Sequence, residues 1–340
     1  MAVSIARSIK TPPLLKLLAD GELHSRKWLA GKLHQTPAAV DKGVERLRAL
    51  GIEVLAVARQ GYRLPHRVEL LDARLVGAAL GAQQKSQLRR LELLFEVDST
   101  NTRLLAAPPP PPGSAEACMS EMQHAGRGRL GRRWIAPFGA GISMSLSWTF
   151  NNAASTLSAL SLGVGVAVSR ALRRAGAEGI TLKWPNDIWF RDRKIGGVLI
   201  ESRADPGGLA HAVIGVGINV SLPEPARRQI EASGARVAAV ADACREPPSR
   251  NMLAGAILDE LLSMLVQYER FGFAAFRDAW TALDGLRDRH AKVVIGEKST
   301  LGTARGVDWD GALLLDTGDG MQRFVSGEAS LRLTRGEAEP

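Results

Sequence analysis

The chain has 340 residues, of which 45% are apolar and 23% charged, the balance of an ordinary soluble globular protein. This length predicts two or three domains, each with its own core, and the composition excludes a disordered chain, a collagen and a disulfide-rich toxin. No run reaches the roughly 18 consecutive apolar residues that span a bilayer. Charges and prolines interrupt the N-terminal segment, unlike a secretory signal. We therefore expect a cytoplasmic protein with no membrane partner.

Basic residues exceed acidic residues, 44 against 35, which gives a net charge of +9. Such a surplus favours phosphate groups, whether on nucleic acid or on nucleotides, or an acidic protein surface. The two cysteines, Cys118 and Cys244, match no metal-ligand spacing and fit a reducing cytosol. The six histidines include no HExxH motif, so the sequence does not indicate a zinc enzyme and metal ligands stay unassigned.

Residues 12–65 predict three short helices followed by a β-hairpin. Ser25 and Thr36 are suited to cap the second and third helices, and the third helix ends at Gly51. The hairpin turns at Arg59–Gly61. Three helices with such a hairpin predict a winged helix-turn-helix, in which the third helix enters the DNA major groove and the hairpin touches the backbone.

The rest of the chain mixes helices and strands. A linking helix is predicted over about residues 72–83, and a long helix over 155–175. Five consecutive prolines at 108–112 predict an extended connector. From Lys292 onward, short strands separated by glycine turns predict a small β-barrel of about 45 residues.

The segment GRGRLGRRW, residues 126–134, carries the strongest chemical signal. Its three glycines let backbone N–H groups approach an anion, and its four guanidinium groups suit carboxylate and phosphate. It is neither a Walker A loop nor a Rossmann turn, because neither the required Lys-Ser/Thr nor a helix follows it. The alternative is an arginine-rich nucleic-acid-binding loop, but a single copy within folded sequence favours an anion site.

Two further segments crowd polar groups between strand-like runs. KWPNDIWF (183–190) is followed by Lys194, which precedes a pair of glycines, and IGVGIN (214–219) ends on an asparagine. Taken singly, each is more often an ordinary turn, a solvated lysine or a chance glycine pattern. Their significance comes from their order along the chain.

The ordered motifs DSTN, GRGRxGRxW, KWPND, RKxGGxLxE and IGxGIN resemble those of biotin–protein ligases, over the chain from about Val97 to the C-terminus. The N-terminal winged helix and the C-terminal barrel resemble the bifunctional members, which are ligases and biotin-operon repressors. The resemblance implies an α+β fold: a winged helix-turn-helix (1–66), a class II synthetase-like ligase domain with a mixed or antiparallel sheet (67–285), and an SH3-like β-barrel (286–340).

The implied reaction has two steps. Biotin and ATP, with Mg²⁺, form biotinyl-5′-adenylate, and a lysine of a carboxylase's biotin carboxyl carrier domain then attacks this mixed anhydride. Operator DNA and a second copy of the chain, in a ligand-promoted homodimer, are the other implied partners. Two rival hypotheses are a repressor that only senses biotin or its adenylate, and a lipoate-type ligase.

The resemblance also assigns the site residues. It gives catalytic roles to Arg129, Asp187 and Lys194. It places biotin or its adenylate against Ser99, Thr100, Asn101, Gln123, Gly126, Arg127, Gly128, Arg129, Trp134 and Lys194, and ATP or the adenylate against Lys183, Asn186, Asp187 and Asn219. The residue types fit: cations offset the repulsion between carboxylate and phosphate, and Ser, Thr and Gln can hydrogen-bond the ureido ring of biotin.

Six basic side chains of the predicted winged helix are candidates for contacts with DNA phosphates. They are Arg26, Lys27, Lys42, Arg46, Arg59 and Arg63. The third helix departs from the family pattern at Pro37, Asp41 and Gly43, where a basic, an amide and an imidazole side chain are more familiar. Either this domain reads a different operator or it now serves packing or regulation. Residues 221–246 match a loop that orders over adenine in the family, and none of them is assigned.

Overall fold

A mixed eight-stranded sheet forms the centre of the protein. The computed structural model describes residues 4–6, 11–151, 157, 159–204, 209–232, 234–325 and 330–333. Within this part, short helices precede the central sheet and a five-stranded antiparallel sheet follows it. None of the helices in these ranges is long and apolar enough to cross a membrane. The predicted α+β class, with a mixed central sheet, is confirmed.

The N-terminal region contains a strand that joins the central sheet, three helices and a small hairpin. The elements are β1 (Ser4–Ala6), α1 (Pro13–Leu18), α2 (Arg26–Leu33), α3 (Pro37–Ala49), β2 (Leu55–Val57) and β3 (Gly61–Arg63). The hydroxyl groups of Ser25 and Thr36 accept N–H bonds from the first turns of α2 and α3, as predicted. A Cβ at Gly43 would lie 2.8 Å from Leu14, so the close approach of α1 explains a glycine inside α3.

The linking segment contradicts the prediction of one helix over 72–83. It forms two short helices, α4 (Ala73–Ala78) and α5 (Ala82–Gln87), with a break between them. At the break, the Gly81 N–H donates to the carboxylate of Asp259 at 2.8 Å, and Leu80 is buried. The tertiary bond replaces the helical one, and this could not be predicted from local periodicity.

The central region supplies the remaining seven strands of the sheet. Its elements are β4 (Leu88–Val97), α6 (Thr100–Leu105), β5 (Ala115–Gln123), β6 (Gly141–Phe150), α7 (Leu160–Arg174), β7 (Ile180–Lys183), β8 (Asp187–Phe190), β9 (Arg193–Ala204), β10 (Ala210–Asn219), α8 (Glu224–Glu231), α9 (Arg250–Phe271) and α10 (Arg277–Leu283). The strand order is β1-β4-β5-β6-β10-β9-β8-β7; β1, β4 and β5 are parallel and the other pairs antiparallel. The long predicted helix corresponds to α7, although residues 152–156 and 158 lie outside the described ones.

The two faces of this sheet are covered differently. Helices α7 and α9 bury one face in the main core, and α7 approaches closely because a Cβ at Gly163 would lie only 3.1 Å from the Tyr268 ring. On the other face, the short helix α6 packs Leu104 against Cys118 and Val213. Because α6 covers only part of this face, space remains beyond its N-terminus.

A buried ion pair ties the linking segment to the sheet. Arg250 and Glu121 are both almost inaccessible to solvent and contact each other directly. Glu121 also accepts the Leu71 N–H at 2.5 Å, and Arg250 donates to the Gly141 carbonyl at 2.9 Å and to the Glu69 carbonyl at 2.6 Å. Such a pair stabilises only when its hydrogen bonds are satisfied, as they are here.

The C-terminal sheet is antiparallel and packs on the central region. Its strands are β11 (His290–Ile295), β12 (Lys298–Val307), β13 (Leu313–Thr317), β14 (Gly320–Phe324) and β15 (Ser330–Leu333), in the order β14-β13-β12-β11-β15. The short strands predicted from Lys292 onward are therefore present. The Trp184 indole N–H donates to the Gly311 carbonyl at 3.0 Å, and Arg289 forms two bonds with Asp192 at 2.7 and 2.8 Å.

Asp284 lies at this junction with a shielded carboxylate. Its Oδ1 accepts the Leu286 N–H at 2.9 Å, but no described residue hydrogen-bonds the buried Oδ2. Burial raises the pKa of Asp284 to about 6, although the backbone bond and nearby Arg287 act in the opposite direction. The folded state therefore favours the protonated form of this carboxyl group.

We expect the Asp284→Asn variant to be more stable than the parent at pH 8. Because the folded pKa lies above the unfolded value, the contribution of Asp284 to stability is greatest at low pH and is lost as the pH rises through about 6. The gain should reach up to about 3 kcal/mol at pH 8 and fall below about 1 kcal/mol near pH 4. Urea unfolding at both pH values measures it. As the control, Asp278→Asn removes a fully exposed carboxylate of α10 and should change little at either pH. An equal effect of Asp284→Asn at both pH values would contradict the prediction.

Candidate active site

A cavity of about 930 Å³ opens on the sheet face that α6 leaves uncovered. Its volume lies near the upper end of the roughly 300–1,000 Å³ that ligand pockets occupy. Its walls bring together all but one of the predicted ligand-contact residues. They are Ser99, Thr100, Asn101, Gln123, Arg127, Gly128, Arg129, Trp134, Lys183, Asn186, Asp187, Lys194 and Asn219. The exception is Gly126, which is buried behind Trp134.

Two glycines of β10 form the floor. A Cβ at Gly215 would lie 2.4 Å from Oδ1 of Asn101, and one at Gly217 would lie 2.6 Å from the Trp134 indole ring. Neither contact is sterically possible, so the floor must be bare for these two side chains to lie on it. The motif IGVGIN therefore serves the site through its glycines as well as through Asn219.

At one end of the cavity, a hydrogen-bond network fixes the side chains of α6. Ser99 caps the helix, and Gln123 Oε1 accepts both the backbone N–H and the hydroxyl of Thr100, at 2.9 and 3.2 Å. The amide nitrogen of Gln123 is thereby left as a hydrogen-bond donor for the cavity. The Asn101 Oδ1 lies 2.5 Å from the Ser145 hydroxyl, and its Nδ2 donates at 2.8 Å to Glu201.

The arginine-rich segment forms a small hairpin over the cavity. The Trp134 N–H donates to the Gly126 carbonyl at 2.9 Å, and the Gly128 N–H donates to the Arg132 carbonyl at 2.7 Å. At its tip, Leu130 has a positive φ of 55° and a side chain that is 69% exposed. A non-glycine residue in this conformation carries backbone strain, which is common where a loop closes on a ligand.

Charged groups meet at the other end of the cavity. Lys194 Nζ lies 2.6 Å from Asp187 Oδ1 and 5.8 Å from the centre of the Trp134 ring. Burial lowers the pKa of Arg129; nearby Asp187 opposes this shift and Arg132 adds to it. An arginine stays protonated even so. Two partly buried cations therefore share one carboxylate, which leaves this end attractive to an anion.

The remaining predicted nucleotide contacts are held by neighbouring segments of the chain. Lys183 Nζ lies 4.8 Å above the Trp189 ring, and Asn186 Nδ2 donates at 2.7 Å to the Val198 carbonyl. The buried Asn219 donates to the Ala238 carbonyl at 3.2 Å. Much of the hydrogen-bonding capacity of Asn186 and Asn219 thus serves to shape the wall.

Residues 221–246, left unassigned from the sequence, supply part of the wall. After α8, the backbone at 236–238 pairs with Lys194, whose N–H donates to the Arg236 carbonyl at 2.8 Å. Arg132 and Arg133, two of the four guanidinium groups of the predicted anion-binding segment, also line the wall. Wall residues that the sequence did not assign are Leu130, Ile135, Ser143, Met144, Trp184, Pro185, Trp189, Asp192, Gly197, Val198, Leu199, Gly215, Val216, Gly217, Ile230, Gly234, Ala235, Arg236 and Val237. Backbone pairing with a distant strand positions the part at 236–238, so the sequence gives no local signal for this stretch of the wall.

The six candidate DNA contacts lie on the N-terminal helices and hairpin, away from the cavity, and all are exposed. The Arg26 nitrogens Nε and Nη2 both donate to the Asp41 carboxylate, which also accepts a hydrogen bond from the Tyr62 hydroxyl at 2.8 Å. The Asp41 carboxylate, which departs from the family pattern, therefore joins α2, α3 and β3. Its charge is offset by Arg26.

No group of three or more His, Cys, Asp or Glu side chains that could hold a metal occurs among the described residues. Both cysteines are free, and burial raises the pKa of the Cys118 thiol to about 12. Nearby Glu92 raises it further. Cys118 is thus a core residue rather than a nucleophile.

Comparison with known proteins gives consistent matches along the chain. Residues 94–219 match the biotin/lipoate A/B protein ligase family, and residues 289–332 match the biotin protein ligase C terminal domain. The chain is 36% identical over 319 residues to the bifunctional ligase/repressor BirA of Salmonella typhimurium, covering 94% of this chain and 96% of that protein. The match to the protein of the same name from Escherichia coli strain K12 is also 36%, over 320 residues, with the same coverage. A solved biotin protein ligase from Aquifex aeolicus, in complex with biotin and ATP, is 28% identical with a TM-score of 0.59, covering 72% of this chain and 99% of that one.

We expect the Gly217→Ala variant to lose ligand affinity. The added methyl group would displace the Trp134 ring and overpack the floor, at a cost of about 1–3 kcal/mol in stability. Calorimetric titration with biotin should show binding at least roughly tenfold weaker, because the wall that Trp134 forms is lost. In the control variant Gly77→Ala, the new Cβ has no heavy atom within 4 Å, and affinity should be unchanged. Unaltered affinity in Gly217→Ala would show that the position of Trp134 is irrelevant to binding.

Proposed function

This chain belongs to the biotin protein ligase family, and on that basis we propose that it attaches biotin to a lysine of a carrier domain in two steps. In the first step a biotin carboxylate oxygen attacks the α-phosphorus of ATP, which gives biotinyl-5′-adenylate and pyrophosphate. In the second step the lysine amine attacks the biotinyl carbonyl carbon, and AMP leaves. The family membership confirms the resemblance inferred from the five motifs.

The single observation that supports this reaction best is the two-ended cavity. One end carries neutral hydrogen-bonding groups fixed by α6, and the other carries the partly buried cations Arg129 and Lys194 beside Asp187. A ligand with a neutral polar ring at one end and an anionic centre at the other matches this division. Biotin joined to AMP is such a ligand.

At the neutral end, the amide orientations match a ureido ring. Gln123 presents its nitrogen, because its oxygen is occupied by Thr100, and Asn101 presents its remaining oxygen lone pair. A ureido group offers one carbonyl acceptor and two N–H donors. Gln123 would donate to the carbonyl and Asn101 would accept from one N–H, while Trp134 covers the apolar rings.

At the cationic end, Arg129 and Lys194 offset the repulsion between the biotin carboxylate and the α-phosphate. Groups fixed in place before the reaction stabilise the developing charge without reorganisation. The hairpin that carries Arg129 would close over the adenylate and exclude water, which would otherwise hydrolyse the anhydride. Asp187 would position Lys194, the metal or the incoming lysine, and Lys183, Asn186 and Asn219 would lie on the nucleotide side.

Mg²⁺ would enter with ATP. Magnesium in nucleotide sites is commonly bound by substrate phosphates and one or two carboxylates. Asp187, on the wall beside both cations, is the carboxylate best placed for this role. The ion would neutralise charge on the departing pyrophosphate.

The outer regions would serve regulation and acceptor binding. Residues 1–66 would form a winged helix-turn-helix that represses transcription at an operator, with Arg26, Lys27, Lys42, Arg46, Arg59 and Arg63 as phosphate contacts. Arg26 would have to share its charge with Asp41. Residues 67–285 would form the ligase domain of class II synthetase type, and 286–340 an SH3-like barrel that helps to receive the carrier domain. A ligand-promoted homodimer in the cytoplasm completes the proposal.

Neither rival hypothesis is favoured. A repressor that only senses biotin or its adenylate would not need catalytic cations, whereas Arg129 and Lys194 lie at the cavity wall with Asp187. A lipoate-type ligase would have to accept an acid without a ureido ring. The paired amides of Asn101 and Gln123 suit that ring instead.

The purified chain, given MgATP, biotin and a biotin carboxyl carrier domain, should add the mass of one biotinyl group to a single lysine of that domain. Lipoate in place of biotin should give no adduct, since it lacks the ureido group that Asn101 and Gln123 would bind. Mass spectrometry of the carrier domain measures both. Tight biotin binding without transfer would instead support the sensor hypothesis.

The Arg129→Gly variant should release free biotinyl-adenylate. Removing this partly buried cation weakens the closed hairpin, so the fraction of adenylate that escapes should rise roughly tenfold or more, as expected for one lost charge-assisted bond. Ultrafiltration after reaction with labelled biotin separates free from retained adenylate. Arg245→Gly, which removes an exposed arginine outside the cavity, is the control. Unchanged retention in Arg129→Gly would refute this role.

A further inference from the structure

Glu201 ends the motif RKxGGxLxE, and the two-step reaction gives it no role. It lies on β9 opposite Val213 of β10, beyond the floor glycines, and is not among the cavity-wall residues. Its side chain is 27% exposed. Even so, it contacts two residues of the wall, Asn101 and Arg127.

The first contact sets the orientation of Asn101. Both N–H groups of this amide are directed away from the ligand, to Glu201 Oε2 at 2.8 Å and to the Leu199 carbonyl at 3.3 Å. A carboxylate and a carbonyl can only accept, so the reversed amide would place its oxygen against two other oxygens. Asn101 is 3% exposed but lines the cavity, and its Oδ1 lies over Gly215 and accepts the Ser145 hydroxyl at 2.5 Å. The second lone pair of this oxygen remains to accept a hydrogen bond from a ligand.

The second contact places Arg127. Its Nη2 donates at 3.0 Å to Glu201 Oε2 and at 3.0 Å to the Thr102 hydroxyl of α6. Arg127 is thus attached to the neutral end of the cavity, whereas Arg129 and Lys194 lie near Asp187 at the other end. The guanidinium offsets the charge of Glu201, which would otherwise be a lone anion beside the ligand.

On the premise of the proposed function, we infer that Glu201 is a positioning residue for biotin. It acts through Asn101, whose oxygen it turns toward a ureido N–H, and it is held in place by Arg127. Glu201 and Arg127 therefore form one unit that governs recognition of the acid. They take no part in phosphate chemistry.

This inference predicts a split in the kinetics of the Glu201→Gln variant. Glutamine keeps the shape of the side chain but offers a donor as well as an acceptor, so only the longer bond to the Leu199 carbonyl still favours the present orientation of Asn101. The KM for biotin should rise roughly tenfold or more, as expected when a hydrogen bond to a charged group is lost. The KM for ATP and the kcat of pyrophosphate release should stay within about twofold. A role in folding alone would not separate the two substrates.

Two further variants sharpen the test. Arg127→Gln should reproduce the rise in the KM for biotin, and the double variant should be no worse than the more impaired single one, because the two residues act as a unit. Arg103→Gln is the matched control. It removes an arginine of α6 that likewise pairs with a sheet carboxylate, Glu92, at 2.9 Å but lines no part of the cavity. Its KM for biotin should equal that of the parent.

A ligand probe tests the N–H contact directly. Biotin methylated on one or the other ureido nitrogen removes one donor at a time. For one of the two analogues, the parent enzyme should lose roughly tenfold in affinity, while Glu201→Gln should lose much less, because its Asn101 acceptor is no longer fixed.

The outcomes separate this inference from the function on which it rests. A parent chain that forms no biotinyl-adenylate refutes the proposed function. An active parent with an unchanged KM for biotin in Glu201→Gln, or an equal rise in both KM values, overturns the role of Glu201 alone. If thermal unfolding shows that Glu201→Gln does not fold, the test passes to Arg127→Gln, which should raise the KM for biotin but not the KM for ATP. If both single variants fold and their effects add in the double variant, Glu201 and Arg127 do not act as one unit.

Discussion

The site depends on one steric condition: strand β10 carries no side chain at two successive positions of one sheet face. Gly215 and Gly217 leave the floor bare, and Asn101 and Trp134 lie where their Cβ atoms would be. Both neighbouring strands pair with β10 through this stretch, so the floor cannot move to make room. The wall residues from α6 and from the arginine-rich hairpin therefore meet at fixed distances over a rigid surface. Without the glycines, neither Asn101 nor Trp134 could occupy its present position.

Charge is distributed unevenly along this floor. Near α6 the cavity wall carries neutral amides and hydroxyls, and its Arg127 is compensated by Glu201. Near β8 and β9, Arg129 and Lys194 share Asp187, so positive charge is in excess. Partial burial removes water from these cations and raises their free energy when no anion is near. An anionic ligand lowers that free energy and is therefore favoured at this end. The division matches a ligand whose recognition and reaction occur at opposite ends.

The regions of the chain are connected by polar contacts as well as by their cores. Arg250 and Glu121 fix the linking segment to β5 and β6. The bond from Trp184 to Gly311 holds the C-terminal region against the β7–β8 turn, and the pair Asp192–Arg289 holds it against the β8–β9 turn, just before Lys194. Asp192 also lines the cavity. The position of the C-terminal sheet and the geometry of the cationic end are therefore physically linked. Asp284, shielded at the same junction, adds a dependence on pH.

The sequence alone determined the identity of the chemistry. Motif order identified the family, and short-range rules located helices α2 and α3, the hairpin after them and the C-terminal strands, because caps, turns and alternation act between near neighbours. It could not decide features that depend on distant partners. The break between α4 and α5 at Gly81 depends on a bond to Asp259, and the wall segment at 236–238 depends on backbone pairing with Lys194. A glycine is needed at position 43 inside α3 because Leu14 lies close to it. Likewise, the sequence assigned no role to Glu201 or Asp41. The fold shows that Glu201 contacts Asn101 and Arg127, and that Asp41 contacts Arg26 and Tyr62. Local interactions fix the elements, but the contacts that orient a side chain for function come from residues far away in the chain, and only the tertiary structure brings these together.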